Sequence, residues 1–227
     1  MIVDQINWNV DKFLLGRFSG TVAVAIYGIG SQLNNMYLQV STAISNVFIP
    51  QVNRIVAEEQ GDRVLTELFT KVGRVQFIVL SMIVSGFIFL GQAFIALWAG
   101  DGYEDSYYIA LLLIVPVTVP LIQNLGIEIQ RAKNLHKVRS VIYLVMAVAN
   151  IFISIPLIQI WDSIGAALGT AISLIACNCI FMNIYYHKKI GLDMVYFWRQ
   201  IVGFIPALII PTVVGLSLIH ISEPTRH

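Results

Sequence analysis

Apolar residues run through this chain in long stretches broken by short polar segments. Stretches of about 20 apolar residues match helices that cross a hydrocarbon layer roughly 30 Å thick. The pattern predicts six complete helices, at 2–18, 22–49, 72–97, 107–129, 138–160 and 164–186, with a further helix starting near Ile201. The first departs from the apolar pattern. Asp4, Asn7 and Asp11 fall three and four residues apart and share one helical face, and Gln5, Trp8 and Lys12 lie on the adjoining stripe. Each such group facing lipid costs several kcal/mol, so the face is expected to meet a protein interior or water.

The second helix carries a similar stripe of Tyr27, Ser31, Asn34 with Asn35, Ser41 and Ser45. Small hydroxyl and amide groups at helical spacing serve either as hydrogen bonds between helices or as the wall of a polar cavity, and spacing leaves both readings open. Gly16 and Ser19-Gly20 are expected to end the first helix and Pro50 the second. The mixed-charge stretch 51–71 then reads as the largest loop, with a short interfacial helix within it. Pro116 and Pro120 are expected to loosen the fourth helix. Asn150 and Ser154 pair at i, i+4 in the fifth. The run from Gly165 to Gly169 is a small-xxx-small pattern that favours close helix packing.

Composition sharpens the class. The chain is 57% hydrophobic and 12% charged, against about 25% charged in soluble domains. An all-α, polytopic membrane bundle is the expected fold. Eleven of the fourteen Lys and Arg fall in three alternate connections, at 51–74, 131–139 and 188–199, while 98–106 and 161–163 have none. The positive-inside rule makes the loops 51–71, 131–139 and 187–199 cytoplasmic. Residues 216–227 resemble the translation of a transposase-type sequencing adapter, so the natural sequence is expected to stop near Gly215.

Charge inside a membrane helix is a functional signal. Lys12 and Arg17 are candidates to hold an anionic head group, and Asp11 or Asp4 a coupling cation or proton. Arg17 also suits snorkelling at the outer interface, and Glu128 suits an ion pair with Arg131. Cys177 and Cys179 read as small helix residues without a metal role. No nucleotide loop, metal-ligand cluster or Ser-His or Cys-His arrangement is visible. The expectation is therefore no enzyme, no metal and no cofactor, and a net charge of +1 gives no pointer to nucleic acid.

The stretch from Asn7 through Asp11-Lys12, Leu15-Gly16 and Gly20 to Ile26-Tyr27 and Ser31, with the long helix ending at Pro50, resembles the opening of the second half of polysaccharide flippases. These O-antigen and teichoic acid exporters belong to the MATE-related MOP superfamily. Trp98-Ala-Gly100, Gly126 with Ala132, Asn150 and Gly165-Ala-Ala167 look like further landmarks. The resemblance implies two six-helix lobes around a central cavity. Residues 1–186 would be the second lobe, and 187–215 a cytoplasmic loop with part of a further helix.

It also implies a function: moving undecaprenyl-diphosphate-linked oligosaccharide across the bacterial cytoplasmic (inner) membrane by alternating access. The partners would be the lipid-linked oligosaccharide, membrane lipid and a first lobe of the same protein, acting as a monomer. On this map Asp4, Asn7, Asp11, Lys12, Arg17, Tyr27, Ser31, Asn34 and Asn35 form one wall of the substrate cavity. A MATE-like multidrug or small-molecule exporter is the alternative, and a non-transporting scaffold of glycan assembly is the alternative of another class.

Overall fold

The computed structural model describes residues 2–205, and the side chains in that range except those of 2–9, 136 and 137. The seventh helix beyond its start, the 216–227 tail and the side chains of Asp4 and Asn7 lie outside the described residues. Eight α-helices follow in order among the described residues: α1 Ile2–Phe18, α2 Gly20–Ala57, α3 Asp62–Ala99, α4 Asp105–Ile122, α5 Leu125–Ala132, α6 His136–Ile175, α7 Asn183–Tyr185 and α8 Met194–Val202. Ala176–Met182 and Tyr186–Ile190 are π-helical, and no strand occurs among the described residues.

Among the described residues, three stretches are long and apolar enough to cross a membrane: Asp62–Ala99, Asp105–Ile122 and Val138–Ile190. The third reverses within α6 at Trp161 and Asp162, whose backbones leave helical geometry. Asn150 Nδ2 donates to Thr170 Oγ1 at 3.4 Å and Ser173 Oγ donates to Asn150 Oδ1 at 3.2 Å, so the two arms of α6 lie antiparallel as a hairpin. Ile78, Met82, Leu90 and Phe94 of α3 are exposed, as are Leu144, Val148 and Phe152 of α6. Such broad apolar surface fits lipid rather than water. The chain is an all-α membrane bundle.

The densest helix contact is between α2 and α4. Gly30 makes it possible, since a Cβ there would stand 2.6 Å from Ile109 Cγ2. Tyr37 Oη and Thr118 Oγ1 share a hydrogen bond of 2.8 Å, and Ser41 Oγ donates to the Leu121 carbonyl at 3.0 Å. Gln76 of α3 donates to the Ser41 carbonyl and to Ser45 Oγ, at 3.0 and 2.7 Å. Two apolar cores result. The larger joins α2, α3, α4, α5, the return arm of α6 and α8 around Phe69, Leu125 and Phe197. The smaller joins α1, α2, α4 and the α6 corner around Leu15, Tyr27, Ile109 and Ile158.

The connections sort to two ends. Lys133 Nζ reaches Asp62 Oδ1 at 2.5 Å and the Ile190 carbonyl at 2.7 Å, and the Asp193 amide donates to Thr66 Oγ1 at 3.2 Å. The three basic connections therefore gather at one end. At the other, Ser19 Oγ donates to Asp162 Oδ1 at 2.8 Å and Ser106 Oγ to the Ile26 carbonyl at 2.8 Å. The first of these bonds steadies a corner whose Asp162 sits at φ +46°, a region that favours glycine. In the acidic connection at that end, the amides of Glu104 itself and of Gly102 hold the exposed Glu104 carboxyl below its ordinary range.

Several segments depart from the sequence expectation. Pro50 does not end α2, and 51–71 is not a loop: α2 runs to Ala57 and α3 starts at Asp62. Val52 and Ile55 are buried in the larger core, and that burial holds the helix past the proline. The expected helix 107–129 is broken at Gln123–Asn124, three residues beyond Pro120. The return arm widens to π geometry from Ala176, where Asn178 Nδ2 bonds the Leu174 carbonyl and Asn183 Nδ2 those of Asn178 and Cys179. These side chains occupy carbonyls of the widened ladder. The expected 187–199 loop contains α8, capped by Asp193, which accepts from the Val195 and Tyr196 amides. Phe197 of α8 packs against Phe69 with the rings tilted by 37° and their centroids 4.7 Å apart.

The hairpin yields a stability prediction. A Cβ on Gly165 would drive into the Leu157 carbonyl, and backbone cannot step aside, whereas one on Gly86 would meet nothing. Gly165→Ala should destabilise the bundle by about 1–3 kcal/mol, read as a lower thermal midpoint in detergent. Gly86→Ala should be neutral or slightly stabilising.

Candidate functional site: a buried carboxylate between three helices

Leu14 and Leu15 turn one face of α1 into the smaller core, and Asp11 lies one turn earlier on that face. Its carboxylate is wholly buried. Tyr27 Oη, from α2, donates to Asp11 Oδ2 at 2.7 Å. Thr170 Oγ1, from the return arm of α6, donates to the same oxygen at 2.5 Å. Asn150 Nδ2, from the first arm, approaches Oδ1 at 3.5 Å. Behind it, Asn150 Oδ1 accepts from Ser154 Oγ at 3.0 Å and Ser173 Oγ at 3.2 Å. Gly169 brings the arms close enough for this, since a Cβ there would collide with Ser154 Oγ.

The cluster is rich in oxygen and holds one carboxylate. Among the described residues, no Lys or Arg pairs with Asp11; the three ion pairs found there, Arg63–Glu67, Arg131–Glu128 and Lys133–Asp62, involve other carboxylates. The Glu128–Arg131 pair is the one expected from sequence, at 2.6 Å. A carboxylate buried this deeply is stable as an ion only beside strong donors and a compensating charge. Hydroxyl, amide and carboxylate oxygens are the ligands that hard cations take. No group of three or more His, Cys, Asp and Glu that could hold a metal ion occurs among the described residues.

Of the residues singled out from sequence, the structure brings Asp11 and Tyr27 into direct contact. Lys12, the residue after Asp11 on α1, is half-buried, and Arg17 is exposed near the end of that helix. Ser31 is buried, with its hydroxyl turned back to the Gly28 carbonyl of its own helix at 2.9 Å. Asn34 is wholly buried on the stripe of α2 that Gly30, Tyr37 and Ser41 place against α4, while Asn35 is exposed. Much of the α2 stripe is thus a helix–helix seam. Thr170 and Ser173 carried no signal that sequence reading used. Asn150 and Ser154 stood out by spacing, and the signal available for Thr170 was its place beside the packing residue Gly169.

Residues 1–108 match a family model described as polysaccharide biosynthesis protein. No curated protein and no solved structure matches the chain. The matched span holds α1, α2, α3 and the first residues of α4, and so includes Asp11 and Tyr27. Asn150, Thr170 and Ser173 lie beyond it.

The hydrogen bonds of Asp11 are separable by a double-mutant cycle. Tyr27→Phe removes one donor to the Asp11 carboxyl and should cost about 0.5–3 kcal/mol of stability, the upper end if Asp11 is ionised. In an Asp11→Asn background the same change should cost less, and the difference is the coupling energy of the pair. Thermal and denaturant unfolding in detergent would give all four values; equal costs in both backgrounds would show that the bond contributes nothing specific to the charge.

Proposed function

We propose that this chain is one lobe of a transporter that moves a lipid-linked oligosaccharide across the bacterial cytoplasmic membrane in polysaccharide biosynthesis. The match of residues 1–108 to polysaccharide biosynthesis proteins and the multi-pass membrane bundle support that reading. The observation that carries it is the buried Asp11 carboxylate, held by donors from α2 and both arms of α6 with no cation partner among the described residues. In this reading the cluster takes up a hard cation or a proton. Occupation draws α1 and the α6 hairpin together, and release lets them separate. A gradient can drive alternating access through such a site only if the two arrangements differ in their affinity for the ion.

The basic end of the bundle is the cytoplasmic side by the positive-inside rule. The polar groups of α1 that are not engaged by Asp11, including Lys12 and Arg17, then belong to a face shared with a first lobe of the same protein. Catalysis has no part in this reading.

Complementation tests it. In cells lacking their own glycan flippase, the gene that carries this sequence should restore surface polysaccharide, and Asp11→Asn should abolish that rescue without loss of protein from the membrane. Rescue by Asp11→Asn at wild-type level would overturn the coupling role. Drug resistance without glycan rescue would instead indicate an exporter of small molecules.

A further inference from the structure

At the basic end, a recess of about 180 Å³ opens between α2, the α4–α5 break and both arms of α6. Two interruptions of regular helix meet there. Gln123 and Asn124, which form the break, line one wall; Asn178, within the π-helical stretch, lines another. At membrane depth, backbone that leaves α geometry persists only where it is buried in protein or borders a polar cavity.

The recess holds a cation in a fixed place. Arg139, near the start of α6, is half-buried, and its guanidinium lies 4.5 Å over the centre of the Tyr143 ring. Tyr143 is itself anchored, since its hydroxyl donates to Asn178 Oδ1 at 2.9 Å. Among the described residues that line the recess there is no carboxylate. Gln123 is 1% exposed; its Nε2 donates to Asn183 Oδ1 at 3.1 Å, while its Oε1 is buried with no partner among the described residues. Asn124 reaches Ser41 Oγ only at 3.4 Å, which leaves its second amide proton for a ligand. Leu38, Val117 and Leu174 supply apolar wall.

The geometry points to a binding site for a phosphate group, as a free ion or as the head of an amphiphile. The Arg139 fork matches two phosphate oxygens. The Asn124 amide donates to a third, and Gln123 Oε1 accepts from a bound water or an acid proton of the ligand. The volume corresponds to about six waters at roughly 30 Å³ each. That space admits a phosphoryl group with some hydration and is too small to enclose an oligosaccharide. The basic connections around this end add a positive field that favours anions. Arg139, Asn124 and Gln123, the groups that would meet the phosphate, lie outside residues 1–108, while α2 supplies part of the wall, and the site does not depend on the translocation reading.

Titration of the full chain in zwitterionic lipid nanodiscs tests the site, with pyrophosphate as one probe. In parallel, discs carrying polyprenyl phosphate are compared with discs carrying the uncharged polyprenol. Wild-type protein should bind at least one phosphate probe and ignore the polyprenol. Pyrophosphate binding marks a site open to the free ion, and binding of polyprenyl phosphate alone marks a lipid headgroup. Arg139→Gln should weaken binding at least tenfold, and Arg54→Gln, an exposed cation outside the recess, should leave it unchanged. Asn124→Leu fills the recess without altering charge and should also weaken binding, which keeps the test decisive if Arg139→Gln fails to fold. No phosphate binding by wild type, or wild-type binding by folded Arg139→Gln or by Asn124→Leu, would overturn the site. Failed complementation with phosphate binding intact would sink the translocation reading and leave this site standing.

Discussion

A carboxylate in the middle of an apolar bundle sets the terms for everything packed around it. Asp11 cannot be hydrated by lipid, so the protein must supply donors from several directions at once. Tyr27, Thr170 and Asn150 do so from three separate helical segments. Each donor fixes a piece of the fold. Tyr27 ties α1 to α2, and Thr170 and Asn150 require the two arms of α6 to lie side by side. The glycines at 165 and 169 follow from that need, because only a bare backbone lets the arms approach closely enough for serine and threonine hydroxyls to meet the asparagine. The corner at Trp161–Asp162, with its unusual backbone, closes the hairpin within two residues, and the bond from Ser19 holds it.

The sequence made the class legible because burial in lipid leaves a plain mark: long apolar runs, little charge, and basic residues confined to alternate connections. The structure adds that those connections meet at one end through Lys133, Asp62 and Asp193. The ends of helices were less legible. A proline is a strong local stop, yet Pro50 is passed because Val52 and Ile55 find places in the core, which a sequence window does not see. Charge in the stretch after it suggested a loop, whereas the charged residues ride on the exposed faces of two helices joined by a short turn. The π-helical stretch was invisible for a related reason: it depends on which carbonyls Asn178 and Asn183 can reach.

The candidate site was legible in its anchor and not in its complement. Asp11 stood out because a charge in an apolar helix is rare. Its partners are hydroxyls and an amide, residue types that are common in membrane helices and serve packing as often as chemistry. The α2 stripe shows the difficulty. Tyr27 bonds the carboxylate, while Ser41 and Ser45, about four and five helical turns further on, bond Gln76 and the backbone of α4. One periodicity thus serves two roles, and only the neighbouring helix decides which.

One element carries both polar features of the bundle. The first arm of α6 presents Asn150 to the carboxylate and Arg139 with Tyr143 to the recess. Eleven residues separate Arg139 from Asn150, about 16 Å along a helix axis. The intervening turns expose apolar side chains such as Val141, Leu144, Val145 and Val148 to lipid. Opposite it, the return arm changes to π geometry at Ala176, between Ser173, which bonds the Asn150 side chain, and Asn178, which bonds Tyr143. The two polar clusters are therefore joined by one regular helix and one widened helix. π-helical turns inside α-helices are rare and occur frequently at functional sites, and here the widened stretch lies between the carboxylate cluster and the recess.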